Sequence, residues 1–272
     1  MLHNRKRLPE IIKRIPSARI TPLEEINWRK EYYIMNFFKE LRKSSRVKTS
    51  KSRLKSLYLY NADLRSIFVD MALIVSRINV DGSCINRMEE LYDFANYRKW
   101  TDSEAEEIEE LQPAVDFFNL DVKSLLIFIL IFMDKLAGFL SLLIDKKEKK
   151  LRAGSFFHFK KDLMKLRGVQ DIKQIITENT KWFKEVKDLR DDFVEHHPGA
   201  GGAVTFKNGK AYATITTRKN VDRELKYIVM DSQAKDISIE ELDEILSQLK
   251  KLLKTLDEHL RSQISILPFK VE

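Results

Sequence analysis

The sequence predicts a mostly α fold, a helical bundle with one small β-hairpin, and three observations carry that expectation. Gly and Pro are sparse, 8 and 6 in 272 residues, which suits long helices with few turns. Apolar residues recur three and four positions apart through most of the chain, the spacing that gathers them on one helical face. One stretch departs from this: VTFKNGKAYATITT alternates its side chains around Asn208-Gly209, a two-residue hairpin signal. With 43% apolar residues, 10% of the total being aromatic, the chain can fill a sizeable core.

Residues 1–22 mix basic residues with Pro9, Pro16 and Pro22 and read as an irregular basic arm, and residues 23–272 as a single helical domain. Trp28, Tyr32, Phe37, Phe38 and Leu41 predict a first helix near 23–43. Leu54, Leu57, Leu64, Phe68, Met71 and Ile74 predict a long helix near 53–79, ended by Asp81-Gly82. Two more fit 85–99 and 102–111; the second opens on a capping box, Thr101 with Glu104, and is expected to stop before Pro113. An apolar helix follows at 120–145. After a loop at 152–157, shorter helices fit 158–167 and 171–177, and Thr180 is expected to cap the helix carrying Arg190. The hairpin is placed at 203–217. The last helix starts with a second capping box, Ser238 with Glu241, and carries Leu242, Ile245, Leu246, Leu249, Leu253, Leu256 and Leu260 on one stripe, which closes the bundle or a dimer.

The segment Ser124–Ile144 has nearly the length of a membrane span, but Asp134 and Lys135 each cost roughly 2.5–3.5 kcal/mol near a bilayer centre. A helix buried on most sides of a core is the preferred reading, and no membrane partner is expected. The beginning MLHNRKRLPEIIKRIP lacks the apolar core of a secretion signal, and one cysteine, Cys84 in an expected DGSCIN turn, forms no intrachain disulfide. A cytoplasmic setting is the expectation. The net charge of +8 favours anionic partners. Between Arg42 and Lys55 stand Arg42, Lys43, Arg46, Lys48, Lys51, Arg53 and Lys55 with no acid, either a solvated surface or a row of phosphate contacts.

The stretch Leu189-Arg190-Asp191-Asp192-Phe193-Val194-Glu195-His196-His197 holds the candidate chemistry. An arginine grips phosphate through paired hydrogen bonds, and a histidine moves protons near neutral pH. Spacing alone says little: with 18 arginines and 5 histidines, Arg152 and His158 repeat it by chance. Position says more. At about 100° per residue, Trp182, Val186, Leu189 and Phe193 form one apolar face, and Arg190 falls at its edge beside Phe183 and Val194. An arginine there requires an anionic partner, either a protein carboxylate such as Asp134 or a ligand phosphate. His197 returns to nearly the direction of Arg190, His196 points about 120° away, and Pro198 disturbs the last turn, so the choice of histidine stays open.

These residues resemble the signature of the HEPN superfamily ("higher eukaryotes and prokaryotes nucleotide-binding"): an arginine, a polar residue, then a histidine after four to six intervening positions. Arg190, Asp191 and His196 match with five intervening residues, and His197 with six. Phe132–Leu140, with Asp134 and Lys135, is similar to a helix of some bacterial members. The resemblance implies a core over about 120–262, a homodimer with two motifs in one basic cleft, and binding of RNA or nucleotide. It further implies metal-independent RNA cleavage in a toxin–antitoxin or antiphage setting, with an antitoxin or other protein as a further partner. His196 would then act at the ribose 2′-hydroxyl, Arg190 on the phosphate, and Asp191 in orienting the pair. The hairpin after the motif and the doubled histidine depart from the pattern. The alternatives are a non-catalytic RNA- or nucleotide-binding module and a structural helical dimer. No GxxxxGK, HExxH or GxSxG is present, and neither metal nor cofactor is expected.

Overall fold

A computed structural model describes residues 23–44, 50–91, 101–144, 151–152, 154–190, 203–207, 210–218 and 232–269. The arm expected over 1–22 lies outside the described residues. The chain is mostly α. In order come α1 (Trp28–Glu31), α2 (Ile34–Lys43), α3 (Lys51–Leu91), α4 (Asp102–Leu143), α5 (Phe156–Leu163), α6 (Gln170–Asn179) and α7 (Phe183–Arg190). Strands β1 (Ala203–Lys207), β2 (Lys210–Arg218) and β3 (Ser232–Ser238) follow, then α8 (Ile239–Ser262) and a 3-10 turn, Ile264–Ile266.

The chain divides into two compact units. One, here the aliphatic unit, takes Met1–Glu25, Leu73–Leu126 and Asp188–Glu244; the other, the aromatic unit, takes Ile26–Ala72, Ile127–Lys187 and Ile245–Glu272. In the aliphatic unit the side chains of Val75, Ile78, Cys84, Ile85, Leu111, Phe118, Val122 and Leu125 are buried. Its sheet is antiparallel in the order β1–β2–β3, with Val204 opposite Ala213 and Ala213 opposite Ile237. In the aromatic unit Phe37, Phe38, Phe68, Phe132, Phe139, Phe156 and Phe159 are buried. Their rings meet at centroid distances near 5–6 Å, as in Phe37–Phe38 at 5.2 Å and Phe38–Phe139 at 5.6 Å, which adds quadrupole attraction to area burial.

Both capping boxes form. Glu104 accepts the Thr101 N–H at 2.9 Å while Thr101 Oγ1 accepts the Glu104 N–H at 3.3 Å. Glu241 accepts the Ser238 N–H at 2.7 Å and Ser238 Oγ accepts the Glu241 N–H at 3.1 Å. The leucine stripe of α8 is buried at Leu242, Leu246, Leu249, Leu253, Leu256 and Leu260, with Ile245 half-buried. This stripe is covered within the chain, which removes the reason for assigning it to a dimer seam.

Several boundaries differ from the sequence expectation. The first helix breaks at Tyr32-Tyr33, because Tyr32 leaves helical dihedrals to bury its ring near Phe68 and donate its hydroxyl to Asn61 Oδ1 at 3.0 Å. Asp81-Gly82 does not end α3. Val75 and Ile78 before it and Cys84 and Ile85 after it are all buried on the continuing helix, and that burial outweighs the glycine penalty of about 1 kcal/mol. Cys84 is therefore a helical residue rather than a turn residue. Pro113 lies inside α4, whose buried Leu111, Ala114 and Phe118 on either side offset the roughly 3 kcal/mol a mid-helix proline takes. The segments expected at 102–111 and 120–145 are thus one helix. Strand β3, SQAKDIS, is too polar to announce itself; pairing with β2 orders it.

By length and composition α4 could cross a membrane, with an apolar window of mean hydropathy 2.2, of which 67% is buried inside the structure.

Candidate functional site

The helix ending in Arg190 rests on an aromatic turn. Trp182 Nε1 donates to the Asn179 carbonyl at 2.8 Å, and Trp182, Phe183 and Val186 are buried. Thr180 serves α7 through its carbonyl, which accepts the Phe183 N–H at 3.3 Å, and not through its side chain as expected. Its hydroxyl turns back and donates to the Ile176 carbonyl at 2.6 Å, an orphan acceptor near the end of α6, and accepts the Lys160 ammonium at 2.9 Å. Arg190 stands seven residues after Phe183, so at about 100° per residue the two positions share a face of α7. The Arg190 side chain and residues Asp191, His196 and His197 lie outside the described residues.

Asp134 has a structural task. Its Oδ1 accepts the Phe156 backbone N–H at 2.6 Å, and Ser155, at the N-cap of α5, makes no side-chain cap bond. A carboxylate from α4 therefore takes the place of a local cap and also suits the positive end of the helix dipole. Lys135 donates to Asp63 Oδ2 at 2.7 Å and lies 5.9 Å from the centroid of the Tyr60 ring.

The chance copy at Arg152 is an ion pair. Arg152 donates to both Asp162 oxygens, at 2.8 and 3.1 Å, and Lys165 approaches at 3.6 Å. The guanidinium holds the Asp162 carboxyl down at about 2. His158, at the matching position, is exposed and borders Phe157, 5.8 Å between centroids.

His259 stacks on Phe269 at 5.9 Å and 22°, and burial keeps its pKa below the usual imidazole value. It lines a cavity of about 260 Å³ with Gly168, Asp171, Gln263 and Ile266. Gly168 has φ 81°, a left-handed dihedral that lets the chain turn sharply into α6. Cys84 is fully buried and its thiol is pushed up to about 12, first by desolvation and then by Asp81, so it is a poor nucleophile. Among the described residues no group of three or more His, Cys, Asp or Glu is placed to hold a metal ion.

Of the basic run, Arg42, Lys43, Lys51, Arg53 and Lys55 are described, and Arg46 and Lys48 lie outside the described residues. Arg42, Lys43, Lys51 and Lys55 are exposed, and Arg42 lies 5.3 Å from the centroid of Tyr58. Among the described residues none of the five is paired with a carboxylate, which leaves their charge to solvent or to an anionic partner.

The sequence reading passed over Phe157. Its signal was the run Phe156-Phe157-His158-Phe159: with Phe156 and Phe159 three apart and buried, the helix turns Phe157 outward, and it is 47% exposed.

No protein-family model matches the chain, and comparison with curated proteins and with solved structures finds no match.

Proposed function

We propose that the chain is a metal-independent endoribonuclease of the HEPN type, cutting RNA by histidine-assisted attack of the 2′-hydroxyl on the adjacent phosphate. The observation that carries this reading is the placement of Arg190 on the helix face of Phe183, which is buried two turns earlier. A cation on such a face is retained where an anion meets it. His196 or His197 supplies the proton transfer and Asp191 orients the pair. The net charge of +8 draws the polyanion in. The chain works as a cytoplasmic homodimer without cofactor or membrane partner, in a toxin–antitoxin or antiphage setting with a neutralising protein partner.

Purified protein is expected to cut single-stranded RNA in EDTA. Arg190→Ala is expected to lower the rate at least about 100-fold with an unchanged circular dichroism spectrum. His196→Ala and His197→Ala, assayed side by side, identify the catalytic ring by which one abolishes cutting. Undiminished cleavage by Arg190→Ala and by both histidine variants overturns the proposal.

A second reading is a non-catalytic RNA-binding module, favoured by Arg42, Lys43, Lys51, Arg53 and Lys55, none of which is paired with a carboxylate among the described residues. It requires salt-sensitive RNA binding without cleavage, lost when these residues are neutralised.

A further inference from the structure

We infer that Phe157 is a base-stacking platform for single-stranded RNA, with Lys187, Lys184 and Lys161 as its phosphate-binding rim. The inference deepens the proposed function and rests on its reading of the chain as an RNA-handling protein.

The platform is held from below. Phe156 and Phe159, on either side of Phe157, are fully buried, and Phe156 packs edge-on against Phe183 of α7 at 4.9 Å. The Asp134 carboxylate fixes the first turn of α5 through the Phe156 N–H. The backbone beneath Phe157 is thus fixed, while the ring itself stays 47% exposed. A single exposed apolar side chain is ordinary; this one is bordered by cations. The Lys187 ammonium lies 5.8 Å from the ring centroid, and His158 meets the ring at 69°.

The helical register sorts the neighbouring charges. On α5, Lys161 lies about 40° from Phe157, whereas Asp162 lies about 140° away and is engaged by Arg152. On α7, Lys184 lies about 60° from Lys187, Asp188 about 100° away on the same side, and Glu185 about 160° away. Lys161 and Lys184 are exposed, and among the described residues neither is paired with a carboxylate. An aromatic face rimmed by cations is the arrangement by which proteins hold unpaired strands: the ring takes a base face of any sequence and the ammonium groups take the backbone. Duplex RNA hides its base faces, so the partner is single-stranded. Lys187 belongs to the helix that ends in Arg190, which places the platform's rim on the same element as the proposed phosphate-handling arginine.

The test uses the full chain carrying Arg190→Ala, so that cutting does not confound binding, with a fluorescent 20-nucleotide RNA as the probe. Adding Phe157→Ala or Phe157→Leu is expected to weaken binding about tenfold, whereas Phe157→Trp stays within about threefold. A strand of abasic nucleotides is expected to bind about as weakly to the Phe157 protein as RNA does to Phe157→Ala. Lys187→Gln should lower the slope of log Kd against log salt by about 0.7. Equal binding by the Phe157 and Phe157→Ala proteins overturns the inference, as does equal affinity for the abasic strand or for duplex RNA. Phe157-dependent capture of phosphatidylserine vesicles with no RNA binding overturns it in favour of a lipid surface. If the wild-type chain does not cut but binds in a Phe157-dependent way, the catalytic reading fails and the platform stands. If it cuts, and Phe157→Ala binds and cuts equally well, only the platform falls.

Discussion

The two units differ in what fills them. The interior of the aromatic unit is built on phenylalanine rings, and several of its buried polar groups are engaged: Ser141 donates to the Gly138 carbonyl, Asn179 to Ile175, Thr180 to Ile176, and Asp257 accepts the Phe37 N–H at 2.8 Å, while Glu31 Oε2 is buried without a hydrogen-bond partner. The aliphatic unit packs smaller side chains around Asp121, paired with Arg77, and around Asn86, which is 3% exposed and whose side-chain oxygen and nitrogen have no hydrogen-bond partner. A buried amide left unsatisfied costs about 1–3 kcal/mol. Among the described residues the aromatic unit leaves fewer buried polar atoms without a hydrogen-bond partner, and it carries the Phe157 platform.

Three experiments probe that contrast. The largest effect is expected from Phe139→Ala, since Phe139 is fully buried and meets Phe37 at 6.0 Å and Phe38 at 5.6 Å. A loss of about 3–5 kcal/mol in urea unfolding is expected, and a loss below about 1 kcal/mol would mean the ring cluster does not hold the aromatic unit. A smaller effect of opposite sign is expected from Asn86→Leu in the aliphatic unit. Exchanging an unsatisfied amide for an apolar side chain of similar volume should raise stability by about 1–2 kcal/mol, and a destabilised variant would show that the amide is satisfied after all.

The smallest effect separates two carboxylates of the aromatic unit by pH. Asp162 is held at about 2 by Arg152, below its unfolded value near 3.9, so its contribution is present above that unfolded value and is lost as pH falls towards about 2. Asp257 is the reverse. Burial raises its pKa against the opposing pull of the Phe37 N–H and Arg261, so its contribution is full below the unfolded value and declines as pH rises through the folded one. Urea midpoints across the acid range are therefore expected to flatten in opposite senses for Asp162→Asn and Asp257→Asn. A pH-independent offset between wild type and Asp257→Asn would show that burial does not govern that residue.

Much of the fold was legible where the signal is local. Thr101 with Glu104 and Ser238 with Glu241 each satisfy helix N–H groups within three residues, so their spacing alone marks the helix starts. The α8 stripe was legible because a period near 3.6 leaves its leucines no other common direction. Stop signals were less reliable. Asp81-Gly82 and Pro113 carry penalties of about 1 and 3 kcal/mol, small beside the apolar area buried on each side of them. Of the candidate site, Asp191 and the histidines lie outside the described residues; that Asp134 serves Phe156 was not legible, since the two are 22 residues apart.

By itself, then, the sequence determined the mostly helical class, the capped helix starts and the burial of most of the apolar segment. Each is a matter of short-range spacing, which the chain carries without its partners. Tertiary structure decided that α3 runs through a glycine and α4 through a proline, that a polar segment becomes β3, that Tyr32 breaks the first helix, and that Phe157 stands exposed beside Lys187. Those outcomes depend on which surfaces meet across long sequence separations, where burial and pairing outweigh local preference.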